Sequence, residues 1–248
     1  MPTCCAAAPK GFSPRPNQRS MSQLKAVIFD MDGVIVDSES CHERAYLEVV
    51  RELGYGDNHG LRFADYIGRS DDLLWRDFIA RHNPPQPFEE LLDLKTRRVV
   101  EIIQREQPLF DGLPELVGKL AGRYKLALAS GSERAVVEAV LRLEGLGRHF
   151  SAVVTGSDVK NGKPAPDIFL RAADLLQVAP RECWVIEDSK TGVAAGLAAG
   201  MRVIAITNTY RTHELAHATH VVRTYGEIEQ LLLPRDRAEH LAAKSLSP

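Results

Sequence analysis

The feature that most limits how this chain can fold is a set of five short apolar runs separated by wide intervals. Each run holds three or four residues and gives way to polar ones. Such runs are typical of strands buried on both faces, as in a parallel sheet. Helical patterns lie between the later runs, over Glu133–Leu143, Asp167–Leu176 and Thr191–Ala199. The alternation predicts an α/β fold with a doubly wound parallel sheet. The runs are Ala26–Phe29, Leu126–Ala129, Ala152–Val154, Trp184–Ile186 and Val203–Ile206.

One interval breaks this alternation. About 95 residues separate the first run from the second, far more than one crossover helix requires. Apolar stripes of helical period run from Ala45 to Leu53 and from Phe88 to Ile103 within it. We therefore expect a helical cap inserted directly after the first strand. The expected division is a leader at 1–22, an α/β core at 23–37 and 111–234, a helical cap at 38–110, and a flexible tail at 235–248.

Composition excludes several classes of protein. The 31 basic and 33 acidic residues give a net charge of −2, which supplies no basic field for nucleic acid. No apolar run approaches the ~20 residues of a membrane span. The four cysteines lack zinc-ligand spacing, and free thiols indicate a reducing compartment. We expect a cytoplasmic monomer. The leader, rich in Pro, Ser and Arg and free of acids, also leaves an organellar targeting segment open.

Two carboxylates follow the first predicted strand. Asp30 and Asp32 stand two residues apart, and Gly33 allows a tight turn behind them. Ligands of open parallel sheets bind at the carboxyl ends of the strands. One carboxylate there can attack phosphorus, while the other protonates the leaving oxygen and later activates water. An acidic pair in a turn is weak evidence by itself, because such pairs also serve as strand-end caps.

The other strand ends strengthen this interpretation. Ser130-Gly131-Ser132 places hydroxyls and backbone N–H groups at a helix N-terminus, where phosphate binds readily. Lys163 stands between turn residues after the third run, and Glu187-Asp188 ends the fourth. Four carboxylates meeting at one edge need a cation, and Mg²⁺ is the hard, oxygen-binding one expected. Taken one at a time, these residues have ordinary explanations, as a cap serine, a surface lysine and a solvated acidic loop. Their joint occurrence at the ends of successive strands favours an active site.

Four segments of the chain resemble the four motifs of the haloacid dehalogenase superfamily. They are DMDGVIVDSE at 30–39, ASGS at 129–132, GKPAPDIF at 162–169, and VIEDSKTGVAAGLAAGM at 185–201. The resemblance covers about residues 24–232, and the branch it indicates carries a helical cap between the first two motifs. It implies a Rossmann-like core.

Site roles follow from this resemblance residue by residue. Asp30 is the implied nucleophile, and Asp32 is the implied acid/base, whose backbone carbonyl also reaches the metal. An aspartate at position 32 implies phosphoryl transfer rather than dehalogenation. Ser130, Gly131 and Lys163 are the implied phosphate-binding residues, with Glu187 and Asp188 as further Mg²⁺ ligands.

The sequence of the predicted cap gives information about the substrate. The stretch from Asp37 to His42 is similar to one in β-phosphoglucomutases where a cap histidine touches the acid/base, and Lys95 is at the position of their cap lysine. Against a mutase, Glu133 and Arg134 replace the Lys and Asn that grip a second phosphate, and Arg69 stands about two positions early. The substrate-side candidates are His42, Arg69, Lys95, Ser132 and Arg134.

The sequence thus favours an enzyme that hydrolyses small sugar or polyol monophosphates through a phospho-aspartate. A β-phosphoglucomutase-type isomerase is the alternative. An inactive relative that binds a partner is a second alternative, although it needs no carboxylate cluster. A phosphonate-cleaving enzyme is a third, for which Lys95 is the candidate for a Schiff base.

Overall fold

The computed structural model describes residues 24–56, 59–66 and 71–233. The expectations for the leader at 1–22 and for the tail at 235–248 lie outside these residues. None of the helices built from the described residues is both long enough and apolar enough to span a bilayer.

Six parallel strands form one sheet in the order β3-β2-β1-β4-β5-β6. Every predicted apolar run lies within a strand, and β6 is a further strand at the sheet edge. β1 pairs with both β2 and β4, so the strand order reverses beside it, where open α/β sheets bind ligands. The strands are β1 (Ala26–Phe29), β2 (Lys125–Ala129), β3 (Ala152–Val154), β4 (Cys183–Glu187), β5 (Arg202–Ile206) and β6 (His220–Val222).

Eight α-helices accompany these strands in the described part of the chain. They are α1 (Glu39–Glu52), α2 (Asp71–His82), α3 (Phe88–Glu106), α4 (Leu113–Ala121), α5 (Arg134–Arg142), α6 (Asp167–Leu176), α7 (Lys190–Ala198) and α8 (Tyr225–Leu232). Four of them lie between β1 and β2: α1, α2 and α3 belong to the insertion, and α4 leads from them into β2.

Apolar cores cover both faces of the sheet. Alternate residues of β1 point to opposite faces, so Val27 and Phe29 join one core while Ala26 and Ile28 join the other. Helices α4, α5 and α8 contribute to the first core, and α6 and α7 contribute to the second. The predicted doubly wound α/β fold is confirmed.

The helical insertion has an apolar core of its own, centred on Tyr46, Trp75 and Phe78. Two chain segments join the insertion to the sheet, namely the first linker (residues 33–38) and the second linker (residues 107–111). The two linkers lie side by side, because Val36 and Leu109 form an antiparallel β-bridge. An inserted helical cap is thus confirmed, while its exact limits at 38 and 110 remain a proposal.

Candidate active site

The parallel register brings the acidic strand ends to one level. Phe29 is paired with Leu128 on one side and with Ile186 on the other, so Asp30 stands level with Glu187. The backbone N–H of Asp30 donates to the carbonyl of Ile186 at 2.9 Å, and the Asp30 side chain is buried. The sheet itself therefore fixes the position of the predicted nucleophile.

Gly33 makes room for a second carboxylate beside this turn. Its φ of +73° lies in the left-handed region that favours glycine. A Cβ there would lie 1.9 Å from Oδ2 of Asp188 and 2.9 Å from Oγ1 of Thr209. Any side chain at this position would therefore displace Asp188 from the nucleophile turn.

Asp32 faces three serine hydroxyls. Ser132 Oγ donates to Asp32 Oδ2 at 2.6 Å and Ser130 Oγ donates to the same oxygen at 3.2 Å. The Ser38 hydroxyl, at the end of the first linker, donates to Oδ1. Hydrogen bonds from β2 and from the cap entrance therefore orient the carboxylate that the sequence predicts to be the acid/base.

Lys163 connects two of the acids. Its Nζ lies 2.5 Å from Asp30 Oδ1 and 2.6 Å from Glu187 Oε1, and the side chain is 13% exposed. Burial lowers the pKa of Lys163, but the carboxylates of Asp30 and Glu187 outweigh it and hold the pKa above its ordinary value. The lysine therefore stays charged beside the predicted nucleophile.

Glu187 is held firmly in place. Its Oε2 accepts from the backbone N–H groups of Asp188 and Ser189, at 2.8 and 2.7 Å, and from the Ser189 hydroxyl at 2.9 Å. A Cβ on Gly192 would lie 1.6 Å from Glu187 Oε1, so only glycine leaves space for this carboxylate against α7. The α7 N-terminus thus fixes Glu187, which in turn holds Lys163.

Asp30, Glu187 and Asp188 form a group able to bind a metal. One carboxylate oxygen from each lies within 4.8 Å of the others, and all three residues are buried. Burial, with the charges of Glu187 and Asp32, raises the pKa of Asp30 to about 8 against the opposing charge of Lys163. Burial, with Glu187 and Asp30, also raises the pKa of Asp188 well above its ordinary value. Three carboxyl groups beside one lysine cannot all be ionised unless a cation joins them, and their all-oxygen donors fit a hard divalent cation.

A cavity of about 730 Å³ opens above these acids. Asp30, Asp32 and Lys163 line its floor, and His42 with Phe63 lines the side contributed by the helical insertion. A floor of charged strand ends therefore faces a roof of cap residues.

Two of the predicted substrate-side residues contact each other here, and of the two His42 lines the cavity. His42 Nε2 lies 3.9 Å from Asp32 Oδ1, while His42 Nδ1 lies 3.1 Å from Lys95 Nζ. Lys95 is fully buried, with its ammonium 5.8 Å from the centre of the Phe63 ring. These cap residues thus connect to the floor through Asp32.

The remaining predicted residues are placed differently. Gly131 and Ser132 line the cavity beside Asp32. The Arg134 guanidinium donates to both carboxylate oxygens of Asp158, at 2.8 and 2.6 Å, on the turn after β3. Arg69 lies outside the described residues.

Three site residues escaped the sequence analysis. Ser38 binds Asp32, Ser189 binds Glu187, and the Thr209 hydroxyl donates to Asp188. Thr209 follows β5 at the same sheet edge as the acids, so the strand-end rule that indicated Asp30 could have found it. Ser38 gave no such signal, because its position depends on how the first linker turns.

Comparisons with known proteins agree with this geometry. The family model of the haloacid dehalogenase-like hydrolases matches residues 24–200. The Escherichia coli fructose-1-phosphate phosphatase YqaB is 36% identical over 186 residues, which are 73% of this chain and 95% of that protein. Hexitol phosphatase B of E. coli is 33% identical, over 74% of this chain and 84% of its own. The crystal structure of CbbY from Rhodobacter sphaeroides in complex with phosphate is similar at a TM-score of 0.73 and 27% identity, covering 83% and 96% of the two chains.

Proposed function

The chain belongs to the haloacid dehalogenase-like hydrolase family, and on that premise we propose that it is a Mg²⁺-dependent phosphatase of small sugar or polyol monophosphates. One observation carries the proposal: Asp30, Asp32, Lys163 and Asp188 all line the same cavity. Its volume of about 730 Å³ suits a small metabolite rather than a macromolecular phosphate. The relatives named fructose-1-phosphate phosphatase and hexitol phosphatase support the same substrate class.

The first chemical step uses both aspartates at the β1 end. A carboxylate oxygen of Asp30 attacks phosphorus, and the bond from phosphorus to the ester oxygen breaks. Asp32, in its protonated form, transfers its proton to the departing alkoxide, which leaves as the free sugar or polyol. Lys163, 2.5 Å from Asp30, supplies positive charge next to the phosphoryl group during the transfer.

The second step regenerates the enzyme. Asp32, now ionised, takes a proton from a water molecule, and the resulting hydroxide attacks the phosphorus of phospho-Asp30. The bond between phosphorus and the Asp30 oxygen breaks, which releases inorganic phosphate. The three serine hydroxyls that face Asp32 support this double role, because they orient its carboxylate between the two steps.

A divalent cation completes the proposed site. Asp30 and Asp188, the backbone carbonyl of Asp32, and Glu187 beside them would hold Mg²⁺. When bound, the ion offsets the negative charge that develops on the phosphoryl oxygens. Support comes from the three buried carboxylates, whose oxygens lie within 4.8 Å of one another and outnumber the single lysine.

A phosphosugar mutase of the β-phosphoglucomutase type is the second candidate. The contacts of His42 with Asp32 and with Lys95 favour it, since that family carries a cap histidine and lysine. Two observations favour hydrolysis instead. Glu133 lines the cavity and would repel a second phosphate, and Arg134 is already paired with Asp158. A bisphosphate intermediate would therefore lack a grip on its far end.

We also propose a cellular compartment and an oligomeric state for the enzyme. Cys41 and Cys183 are separate free thiols, which supports the reducing cytoplasm. We propose a monomer whose partner is the small phosphorylated metabolite itself, with no nucleic acid or membrane involved.

A substrate panel tests the function. The purified full chain is incubated with Mg²⁺ and C3–C6 sugar and polyol monophosphates, and each reaction is assayed for both inorganic phosphate and isomerised product. We expect phosphate release from several of them and no efficient conversion of β-glucose 1-phosphate to glucose 6-phosphate. Fast isomerisation with little phosphate release would favour the mutase, and no turnover of any substrate would favour an inactive binding protein.

A further inference from the structure

The two linkers are tied to each other along their backbones. The N–H of Asp37 donates to the carbonyl of Pro108 at 2.9 Å, and the N–H of Phe110 donates to the carbonyl of Ile35 at 3.3 Å. Because of these bonds, a shift of one linker carries the other with it. Whatever holds the paired linkers to the sheet therefore also sets the orientation of the cap.

Tyr225, the first residue of α8, contacts both linkers. Its hydroxyl donates to the carbonyl of Val34 in the first linker at 2.7 Å. Its ring packs against Phe110 in the second linker, with 6.1 Å between the ring centroids. One side chain of the α/β core thus contacts both of the linkers that join the cap to the sheet.

Asn208 extends this contact to the active site. Its Nδ2 donates to the carbonyl of Gly33 at 2.8 Å and to the Tyr225 hydroxyl at 3.1 Å. The next residue, Thr209, binds Asp188 of the acidic group. The loop after β5 therefore connects the acids, the turn behind the nucleophile and the linkers.

We propose that Tyr225 and Asn208 are positioning residues that hold both linkers against the core and so set the cap over the active site. Ser38, which ends the first linker, and His42, one turn into α1, both contact Asp32. Loosening the linkers changes how these two residues meet the acid/base. The structural part of the proposal needs no assumption about the reaction, and only its kinetic consequence rests on the proposed phosphatase.

Tyr124 provides a matched control. Its hydroxyl donates to the carbonyl of Leu232 at 2.6 Å, at the opposite end of the same helix α8. Tyr124→Phe and Tyr225→Phe therefore each remove one hydroxyl-to-carbonyl bond at α8, and each should lower Tm by about 2–4 °C. Of the two hydroxyls, that of Tyr225 is the one bonded to a linker.

Hydrogen–deuterium exchange of the full-length variants decides the structural part. In Tyr225→Phe, the amides of both linkers should exchange roughly ten-fold faster, because the loss of about one hydrogen bond changes the opening equilibrium by that factor. Strands β1 and β4 should stay protected. In Tyr124→Phe, the linkers should exchange as in the wild type. Unchanged linker exchange in Tyr225→Phe, or equal acceleration in Tyr124→Phe, would overturn the proposal.

Kinetics and a double variant extend the test. In a phosphate-release assay, Tyr225→Phe should lower kcat roughly five-fold with a smaller change in KM, whereas Tyr124→Phe should match the wild type. Asn208→Ala combined with Tyr225→Phe should have an effect smaller than the sum of the two single changes, because the side chains share one hydrogen bond and hold adjacent carbonyls of the first linker. A wild-type kcat in Tyr225→Phe, or fully additive effects of the two substitutions in the double variant, would contradict the proposal. A wild type without activity would reject the phosphatase and leave the exchange result standing.

Discussion

The floor and the roof of the cavity are built by different means. The floor consists of strand-end residues whose positions the sheet register fixes, and its acids lie buried around Lys163. The roof consists of cap residues on separate helices, and its contact between His42 and Lys95 spans 53 positions of sequence. The floor is thus a local product of β-strand geometry, whereas the roof depends on how the whole insertion packs.

We propose that this difference separates catalysis from the choice of substrate. In the proposed mechanism, the floor supplies a carboxylate that attacks phosphorus, an acid/base held by serine hydroxyls, and a group of acids able to hold a cation. In the same proposal, the roof contacts the part of the substrate beyond its phosphate, because it faces the floor across the cavity. Changes in the floor should therefore affect every substrate alike, and changes in the roof should affect substrates unequally.

Asp30→Asn should have the largest effect, the loss of almost all turnover. The substitution removes the attacking oxygen while it keeps the volume of the side chain, so turnover should fall below a hundredth of the wild-type value for every substrate. Phosphate release measures turnover, and circular dichroism checks the fold. Asp174→Asn, on the exposed surface of α6, is the control and should retain full activity. Residual turnover above a hundredth would remove Asp30 from its assigned role.

Removal of the metal should abolish catalysis without any mutation. Excess EDTA should abolish phosphate release, and added Mg²⁺ should restore it. Ca²⁺ should inhibit, because it tolerates more ligands and looser geometry than an in-line attack allows. The measurement is a titration of activity with each ion after chelation. Full activity in excess EDTA would reject the metal site at Asp30, Glu187 and Asp188.

Asp32→Asn should slow the reaction without abolishing it. The amide cannot donate or accept the proton in the two steps, and general acid–base catalysis is worth typically about 10²–10⁴-fold. Rapid-quench measurements on the phospho-enzyme should show both its formation and its hydrolysis slowed. Asp93→Asn, on the exposed side of α3, is the matched control. If formation alone were slowed, a group other than Asp32 would activate the water.

Gly192→Ala tests how tightly the floor is packed. A Cβ would lie 1.6 Å from Glu187, so Glu187 must move and Lys163 loses one of its two carboxylate partners. We expect a loss of about 1–3 kcal/mol in the free energy of unfolding and roughly fifty-fold lower activity. Gly118→Ala on α4 meets no atom within 4 Å and should instead add about 0.5–1 kcal/mol. Chemical denaturation measures both, and equal effects would mean that Glu187 has room to shift.

The contrast between floor and roof also explains what the sequence could predict. Asp30, Glu187 and Asp188 directly follow buried apolar runs, and parallel strands bring such ends to one edge whatever the rest of the chain does. Asp32's partner Ser38 was not predictable in this way, because no periodic pattern governs the path of a linker. Strand β6 was missed because its three residues begin with a histidine and lack a clear apolar run.

Arg134 illustrates the same limit. Its place after the second strand indicated that it could face the substrate. In the structure it pairs with Asp158, which lies 24 positions further along the chain and is brought close because β3 is the neighbour of β2. Pairings of this kind depend on which strands are adjacent, and the apolar runs predict the strands but not their order in the sheet.

Lys95→Met should cause the smallest change and the most selective one. Methionine keeps the unbranched shape of the buried lysine but lacks the ammonium that lies 3.1 Å from His42 Nδ1. Without it, His42 is held less well above Asp32, and kcat/KM for a hexose phosphate should fall about ten-fold, the worth of one hydrogen bond to a charged group. For p-nitrophenyl phosphate, whose leaving group carries no sugar hydroxyls, the fall should stay below about two-fold. Arg97→Met, which removes an exposed cation from the same helix, should change neither value. An equal loss for both substrates would assign Lys95 to the chemistry of the floor and would contradict the separation of roles between the floor and the roof.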